Sequence, residues 1–312
     1  MVIHIAFSRK IMYHYTMLNK NSKDKIQALF AQYSALSKGQ ERALEEIAAA
    51  EIPEMVYNSN AIENSTLTLE DTENILLRNQ IKREVSLREV YEAKNLALIT
   101  ESLLENPNQQ LTIKLILDLH KALLTNIDDD IAGRFRTGKE WVRVGAHLGA
   151  NPAFVSGLMS ELVNQYNDTK KKVYFLDKIA HFHAEFETIH PFCDGNGRMG
   201  RILINQQLMK LGYPPIIVHN KSKHRDYYPL FDIYSTKNRF DGFTKNFALL
   251  LMESLNKRIT ILSSGKIITL SLWAKQNEVR GNSAVNKAVR QTIPAFRMRQ
   301  KWMIARDFKE DI

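Results

Sequence analysis

His190-Pro191-Phe192-Cys193-Asp194-Gly195-Asn196-Gly197-Arg198-Met199-Gly200-Arg201 is the stretch on which the reading of this chain turns. Before it, Phe175, Ile179, Phe182, Phe186 and Ile189 recur with the 3.6-residue period of an amphipathic helix, and after it RMGRILINQQLMKL is again helical. The segment therefore reads as helix–loop–helix. Gly195, Asn196 and Gly197 can turn successive N–H groups inward as an anion-binding nest, where the next helix adds its own orphan N–H groups and dipole. Arg198 and Arg201 lie three apart on that helix, hence on one face, within reach of the oxygens of a polyphosphate. Asp194, one residue before the nest, is placed to hold a hard cation such as Mg²⁺ bridging two phosphates. His190 stands at the entrance of the loop. With an ordinary pKa of about 6.5, an imidazole there is suited to take a proton from an attacking hydroxyl, an effect of roughly 10²–10⁴ in rate.

Competing motifs fail on context. Gly195-x-Gly197-x-x-Gly200 has dinucleotide-fingerprint spacing, but a helical segment precedes it, no βαβ pattern surrounds it, and Asn220 stands where an acidic residue is wanted. No Gly-Lys-Ser or Gly-Lys-Thr follows, which excludes a Walker A loop. Singly, a His before Pro, an Asp before Gly and an Arg pair at i, i+3 are ordinary turn formers and solvated faces. Base, cation ligand, nest and two arginines in one short loop are not explained by packing.

Outward from the loop the chain is mostly helical. Ile26, Leu29, Phe30 and Tyr33 mark one face of a helix within 23–105, Ser86 with Glu89 predicts a capping box, Asn106-Pro107 a stop, and Thr112 the start of TIKLILDLHKALL. GKEWVRVGAHLG, between Gly138 and Gly149, carries the one β signal and predicts a short exposed hairpin. Seven of the thirteen glycines fall in two windows, 133–149 and 195–200, which therefore need unusual backbone.

At 312 residues, 44% hydrophobic and 25% charged, the composition is that of an ordinary globular chain of one to three domains. No run approaches the length of a membrane span, and the opening MVIHIAFSRKIMYHYTM does not read as a signal peptide, with Met12 and Met17 as alternative starts. The single Cys193 excludes an internal disulfide and fits a cytoplasmic location. Most of the +9 net charge lies at one end: residues 256–312 hold twelve Lys or Arg against four Asp or Glu. This tail reads as a separate unit. Leu270–Gln276 and Ser283–Gln291 form two short helices about a turn with Gly281, and AFRMRQKWMIAR a small hairpin, together like a winged helix. Lys287, Arg290, Arg297, Arg299 and Lys301 would carry any contact with DNA phosphates, docking to protein or self-association being the alternatives.

HPFCDGNGRMGR resembles the motif of the Fic (Fido) family, His-Pro-Phe-x-Asp/Glu-Gly-Asn-Gly-Arg-x-x-Arg, at every defined position, and the resemblance extends over 110–255, including AGRFR at 132–136 and HAEFETIHPF. It implies a mainly α, Fic-type helical domain with a short β-hairpin flap, transferring AMP from MgATP to a protein hydroxyl (Ser, Thr or Tyr) with release of pyrophosphate. It implies His190 as base, Phe192 as core anchor, Asp194 as the Mg²⁺ ligand, Gly195, Asn196, Gly197 and Gly200 as the phosphate cradle, and Arg198 and Arg201 on the outer phosphates. Gly197, replaced by lysine in phosphotransferring relatives, favours AMP transfer, and Cys193 fills the variable position. Ser59-x-x-x-Glu63-Asn64 resembles the family's inhibitory pattern, whose carboxylate would pair with Arg201 and exclude the γ-phosphate. The hairpin, with Lys139, Glu140, Trp141, Val142, Arg143 and Val144, resembles a flap that pairs with an extended target segment. Asn205, Tyr227 and Tyr228 are the candidates for adenine.

The expected domains are 1–108, with an inhibitory helix at about 57–66, a catalytic core at 109–255, and a winged-helix-like unit at 256–312. The leading function is an autoinhibited adenylyltransferase, with a de-adenylylating phosphodiesterase and an ATP-sensing DNA-binding regulator as alternatives. Self-modification, a homodimer and DNA contact remain open at this point.

Overall fold

The structure, a computed structural model, describes residues 18–145, 147–170, 172–263 and 265–310; the alternative starts at Met12 and Met17 lie outside them. Four helices come first, α1 (Lys20–Ser37), α2 (Glu41–Ile62), α3 (Leu69–Arg78) and α4 (Leu87–Glu105), followed by α5 (Ile113–Leu124). The hairpin β1 (Arg143–Val144) and β2 (His147–Leu148) leads into α6 (Val155–Asn167), α7 (Phe175–Ile189), α8 (Asn196–Lys210), α9 (Tyr228–Lys237) and α10 (Asp241–Leu262). The tail continues as β3 (Ile267–Thr269), α11 (Leu270–Gln276), α12 (Gly281–Val289), β4 (Phe296–Met298) and β5 (Lys301–Ala305).

The two helices that flank the loop are buried on nearly every side, their apolar residues facing two cores and their enclosed polar residues, such as His183 and Arg201, meeting polar partners. Phe182, Phe186 and Ile189 of α7, with Met199, Ile202 and Leu203 of α8, face a core shared with α2, α4, α5 and α6. Leu176, Ile179, Ala180 and Ala184 of α7, with Ile204 and Leu208 of α8, face a second core built with α1 and α10. The loop between them is thus carried on the most enclosed pair of helices, and its Phe192 is fully buried in the first core against Phe135 and Phe186.

Local signals were mostly followed, with four differences. Thr112 caps α5 by accepting the Leu115 N–H, and α4 ends at Glu105 before Pro107. The expected box at Ser86 is only half made: its hydroxyl accepts no cap bond, and Glu89 is drawn to the Ser65 hydroxyl and the Thr66 backbone and hydroxyl. The complete capping box is Thr68 with Asp71. The expected inhibitory helix at 57–66 stops at Ile62, because Asn64 turns left-handed at φ 68°. The hairpin pairs only Arg143 with Leu148 and Val144 with His147; Lys139–Val142 are not strand, since Glu140 turns back to Arg134 and the Thr137 N–H. The boundary expected at 255/256 falls inside α10, whose Leu255 and Ile259 continue the second core.

The tail has its own small core of Leu270, Trp273, Ala284, Ala288, Ile293 and Ile304. Its antiparallel sheet has the order β3-β5-β4, with α11 and α12 between the first two strands in sequence. Among the described residues, no helix is long and apolar enough to cross a membrane.

Phe192→Ala would empty a fully buried aromatic site at the junction of α5, α7 and α8. The expected cost is about 3–5 kcal/mol of unfolding free energy in denaturant titration. A loss below about 1 kcal/mol would show that the loop is not anchored through this ring.

Candidate active site

The loop begins with a strained residue. His190 ends α7 in the left-handed region at φ 52°, its N–H returning to the Phe186 carbonyl, and Gly195 restores direction at φ 79° just before α8. A non-glycine residue in that region costs about 1–2 kcal/mol and persists only where its surroundings hold it. Those surroundings are visible. The Asn196 amide closes the loop on itself, accepting the Phe192 N–H at 2.8 Å and donating to the Phe192 carbonyl at 2.8 Å. Arg136, fully buried, donates from Nε to the His190 carbonyl at 2.7 Å and from Nη2 to the Ile189 carbonyl at 2.9 Å, and its own N–H reaches the Pro191 carbonyl. His120 stacks on Phe192 with ring centres 3.6 Å apart. Its Nδ1 accepts the Gly133 N–H, so Nε2 carries the proton and donates to the Asp194 carbonyl at 3.0 Å. Burial pushes His120 down to about 4, which keeps this tautomer neutral.

His190 is mostly buried, and burial lowers its pKa to about 4, the Glu187 carbonyl opposing that shift. Nδ1 lies 3.3 Å from that carbonyl, which leaves Nε2 as the nitrogen able to accept a proton. The neutral form at ordinary pH is the form a general base needs. Beside it, burial pushes the Glu187 carboxyl up to about 8, with Arg201 opposing and Glu63 reinforcing the shift, so at neutral pH this acid holds its proton.

The two arginines expected on one face are both buried but diverge to different helices. Arg198 meets Glu92 of α4 at 2.9 Å and Asp194 at 3.3 Å. Arg201 donates from Nε to the Ser59 hydroxyl at 3.0 Å, from Nη2 to the Ser59 carbonyl at 2.8 Å, and from Nη2 to Glu63 Oε1 at 2.8 Å. Ser59 and Glu63, one turn apart at the end of α2, therefore hold one guanidinium between them. Burial alone would raise Asp194, but Arg198, the Gly195 N–H and Arg88 keep its carboxyl below the usual range. A Cβ on Gly197 would come 2.2 Å from Glu63 Oε1, so the carboxylate rests directly on the glycine of the nest. The N–H groups that open α8 have no partners within the helix, and a carboxylate at that spot meets both them and the dipole.

The end of α2 is closed by two further side chains. Lys223 donates to the Ala61 and Ile62 carbonyls at 3.0 and 3.1 Å, and the Tyr228 hydroxyl donates to Ile62 at 2.7 Å. Tyr228, expected near adenine, is thus occupied at the end of α2. Tyr227 is buried, its hydroxyl 2.7 Å from His183 Nε2, and the Asn205 amide is spent on the Ile216 N–H and carbonyl. Trp141, Val144 and Leu148 of the hairpin are 52%, 56% and 47% exposed, an apolar edge with nothing laid on it by the described residues. In the tail, Lys287 pairs with Glu310, Arg297 with Glu253 and Arg299 with Glu73, so three of the five basic residues expected to meet phosphate already have carboxylate partners.

His120, Arg136, Glu187, Arg88 and Glu92 were not singled out from the sequence as site residues. Arg136 and Glu187 had a signal, the AGRFR and HAEFETIHPF segments; His120, Arg88 and Glu92 lie in helices whose period gives no hint of the loop they face.

A mainly helical frame presents a basic loop at the start of α8 beside a neutral imidazole, and this defines the class to which the fold belongs, a helical domain with a short hairpin beside its loop. The Fic/DOC family model matches residues 110–208, and the chain is a Fic-family protein through that domain. An Aedes aegypti protein named "Protein adenylyltransferase Fic" is 34% identical over 176 residues, which are 55% of this chain and 35% of that one. The chain thus spans about a third of the length of that relative. A solved Fic domain containing signaling protein from Bacteroides thetaiotaomicron superposes with a TM-score of 0.70 at 25% identity, over 77% of this chain and 97% of that one. A Fic family protein from Desulfovibrio desulfuricans shares the fold over 95% of this chain and 99% of its own, with a TM-score of 0.60 at 19% identity.

Glu187 gives this site a pH signature. Its carboxyl titrates near 8 when folded and near 4.5 when free, so between those values the folded chain holds a proton that the unfolded chain has lost. Stability contributed by this group is present at low pH and is lost as pH rises toward 8. Glu187→Gln should therefore gain in melting temperature relative to wild type as pH goes from about 5 to about 8. Parallel curves across that range would show that Glu187 is ionised in the folded chain.

Proposed function

We propose that the chain is an autoinhibited protein adenylyltransferase, moving AMP from MgATP to a Ser, Thr or Tyr hydroxyl of a target protein or of itself and releasing pyrophosphate. The observation that carries this reading is the position of Glu63: a carboxylate lies on Gly197 and pairs with Arg201, where a terminal phosphate would meet the same nest and guanidinium. An anion already fills the anion site. The names of the matched relatives support the type of transfer, and Gly197, with no side chain to crowd the nest, supports a triphosphate lying along it.

The residues fit such a ligand. Arg198 Nε is buried with no hydrogen-bond partner among the described residues, a donor that phosphate oxygens would satisfy. Asp194 is a single, part-exposed carboxylate, and no cluster of three or more His, Cys, Asp or Glu among the described residues forms a metal cage. A lone carboxylate plus phosphate oxygens is how Mg²⁺ is commonly held, and the ion would supply charge neutralisation across the phosphates. His190 Nε2 would take the proton of the incoming hydroxyl as its oxygen bonds to the α-phosphorus. The bond from that phosphorus to the bridging oxygen breaks, and pyrophosphate leaves with the pair of electrons. Arg198 and Arg201 would balance the charge that builds on the leaving oxygens. The exposed apolar edge at Trp141 and Val144 supports a target segment laid along the hairpin, next to His190.

With Glu63 in place, Arg201 is taken and a second negative charge stands on the nest. Glu63→Gly should raise self-labelling from α-labelled ATP by roughly 10- to 100-fold, the worth of one or two charge-assisted hydrogen bonds. In that background His190→Ala should lower the rate by roughly 10²–10⁴. Equal labelling of wild type and Glu63→Gly would remove the autoinhibition, and label from the γ position alone would remove AMP transfer.

A further inference from the structure

The inhibitory helix is held at a second point, remote from the nucleotide loop. β4 and β5 are joined at Arg299 and Gln300, both left-handed at φ 49° and 65°. Tight turns of this kind favour Asn-Gly, and two bulky residues there need support from outside. That support is Glu54 of α2. The Arg299 N–H donates to Glu54 Oε2 at 3.1 Å and the Gln300 N–H to Oε1 at 3.0 Å. Glu54 is only 4% exposed, so the carboxylate is enclosed with the turn as its receptor. Two successive backbone N–H groups converging on one carboxylate make an anion nest in miniature. The Arg299 side chain extends the grip to Glu73 of α3 at 2.6 Å, and the Arg297 N–H donates to Glu253 of α10 at 2.9 Å.

The position of this grip along α2 gives it meaning. Pro53 sits inside the helix immediately before Glu54, where it removes one helical hydrogen bond and makes a natural hinge. Glu51, on the far side of that proline, is fastened to Lys257 and Arg258 of α10. Glu54 is the first anchor on the near side, the side that continues to Ser59 and Glu63. Nine residues separate Glu54 from Glu63, about 14 Å of helix axis.

We propose that Glu54 is a positioning residue for the inhibitory pair: the wing turn at Arg299 and Gln300 clasps it and so seats Glu63 on Arg201. The C-terminal unit thereby sets the resting activity of the site, and whatever draws the wing from α2 loosens Glu63. This rests on the autoinhibited adenylyltransferase reading above. It adds the element that holds the inhibitory segment in place.

The test is a double-mutant cycle on the full chain, with Glu54→Ala and the isosteric Glu54→Gln each made in wild type and in Glu63→Gly. Two readouts are taken, self-labelling from α-labelled ATP and hydrogen exchange of the amides of residues 55–62. The clasp predicts that Glu54→Ala raises labelling roughly 5- to 30-fold in the chain that has Glu63, with a smaller rise for Glu54→Gln. It predicts no change beyond about twofold in the Glu63→Gly background. Exchange at 55–62 should quicken in both Glu54 variants. A merely structural Glu54 would lower labelling in both backgrounds alike, and that result, unchanged exchange, or failure of both variants to fold overturns the proposal. Absence of labelling in Glu63→Gly itself strikes the functional reading instead, and the exchange measurement then still decides whether the clasp exists.

Discussion

A single buried guanidinium organises this molecule. Arg201 is 7% exposed, and a charge so enclosed is tolerated only with anionic or hydrogen-bonding partners on every open side. In this structure the partners come from α2, through the Ser59 hydroxyl and carbonyl and the Glu63 carboxylate. Leaving Arg201 unpaired would cost more than the pair contributes. On the proposed reading one anion must therefore replace another, which requires that α2 be able both to stay and to leave.

The rest of the fold divides between those two demands. α7 and α8, enclosed by both cores, make the loop a fixed object, and Phe192, His120, Arg136 and Asn196 pin it from four directions. Phe192, His120 and Arg136 act on the loop alone. Each removes a freedom that would otherwise have to be lost when a ligand bound there, which is the sense in which a site is preorganised. α2 is fastened by both means. Ile52 and Val56 are buried in the first core and Ile62 in the second, while Glu51, Glu54, Ser59, Glu63 and the carbonyls capped by Lys223 and Tyr228 add a polar hold. The polar part of that hold is the part that can be exchanged for water or another anion.

The loop was legible in the sequence because its chemistry is local: nest, arginines, carboxylate and imidazole all lie within one turn and the start of one helix. Glu63 was legible only through the resemblance of Ser59-x-x-x-Glu63-Asn64 to the family's inhibitory pattern, since nothing in the helix period marks it. The helix period likewise placed α1, α5, α7 and α8. What could not be read were contacts made across long stretches of chain. His120 lies 74 residues from the Asp194 carbonyl it holds, and nothing in its helix marks it. The capping box at Ser86 was overridden when Glu89 found partners near residue 65, a tertiary claim stronger than a local one. The boundary expected inside α10 followed a shift in charge, but charge does not end a helix whose apolar face continues through Leu255 and Ile259. β3 was not read because Ile267-Ile268-Thr269 shows no apolar–polar alternation, whereas β4 and β5 lie in the apolar–basic alternation of AFRMRQKWMIAR.

On the proposed reading Glu63 and a terminal phosphate compete for Arg201. Crystal structures of the wild-type and Glu63→Gly chains, each soaked with MgATP, measure this competition directly. In the variant a terminal phosphate should take up the guanidinium over Gly197, while in wild type the carboxylate should stay within hydrogen-bonding distance of Arg201 with the phosphate chain displaced. A triphosphate lying identically in both chains, with Arg201 still on Glu63 in the wild type, would mean that the two anions do not compete.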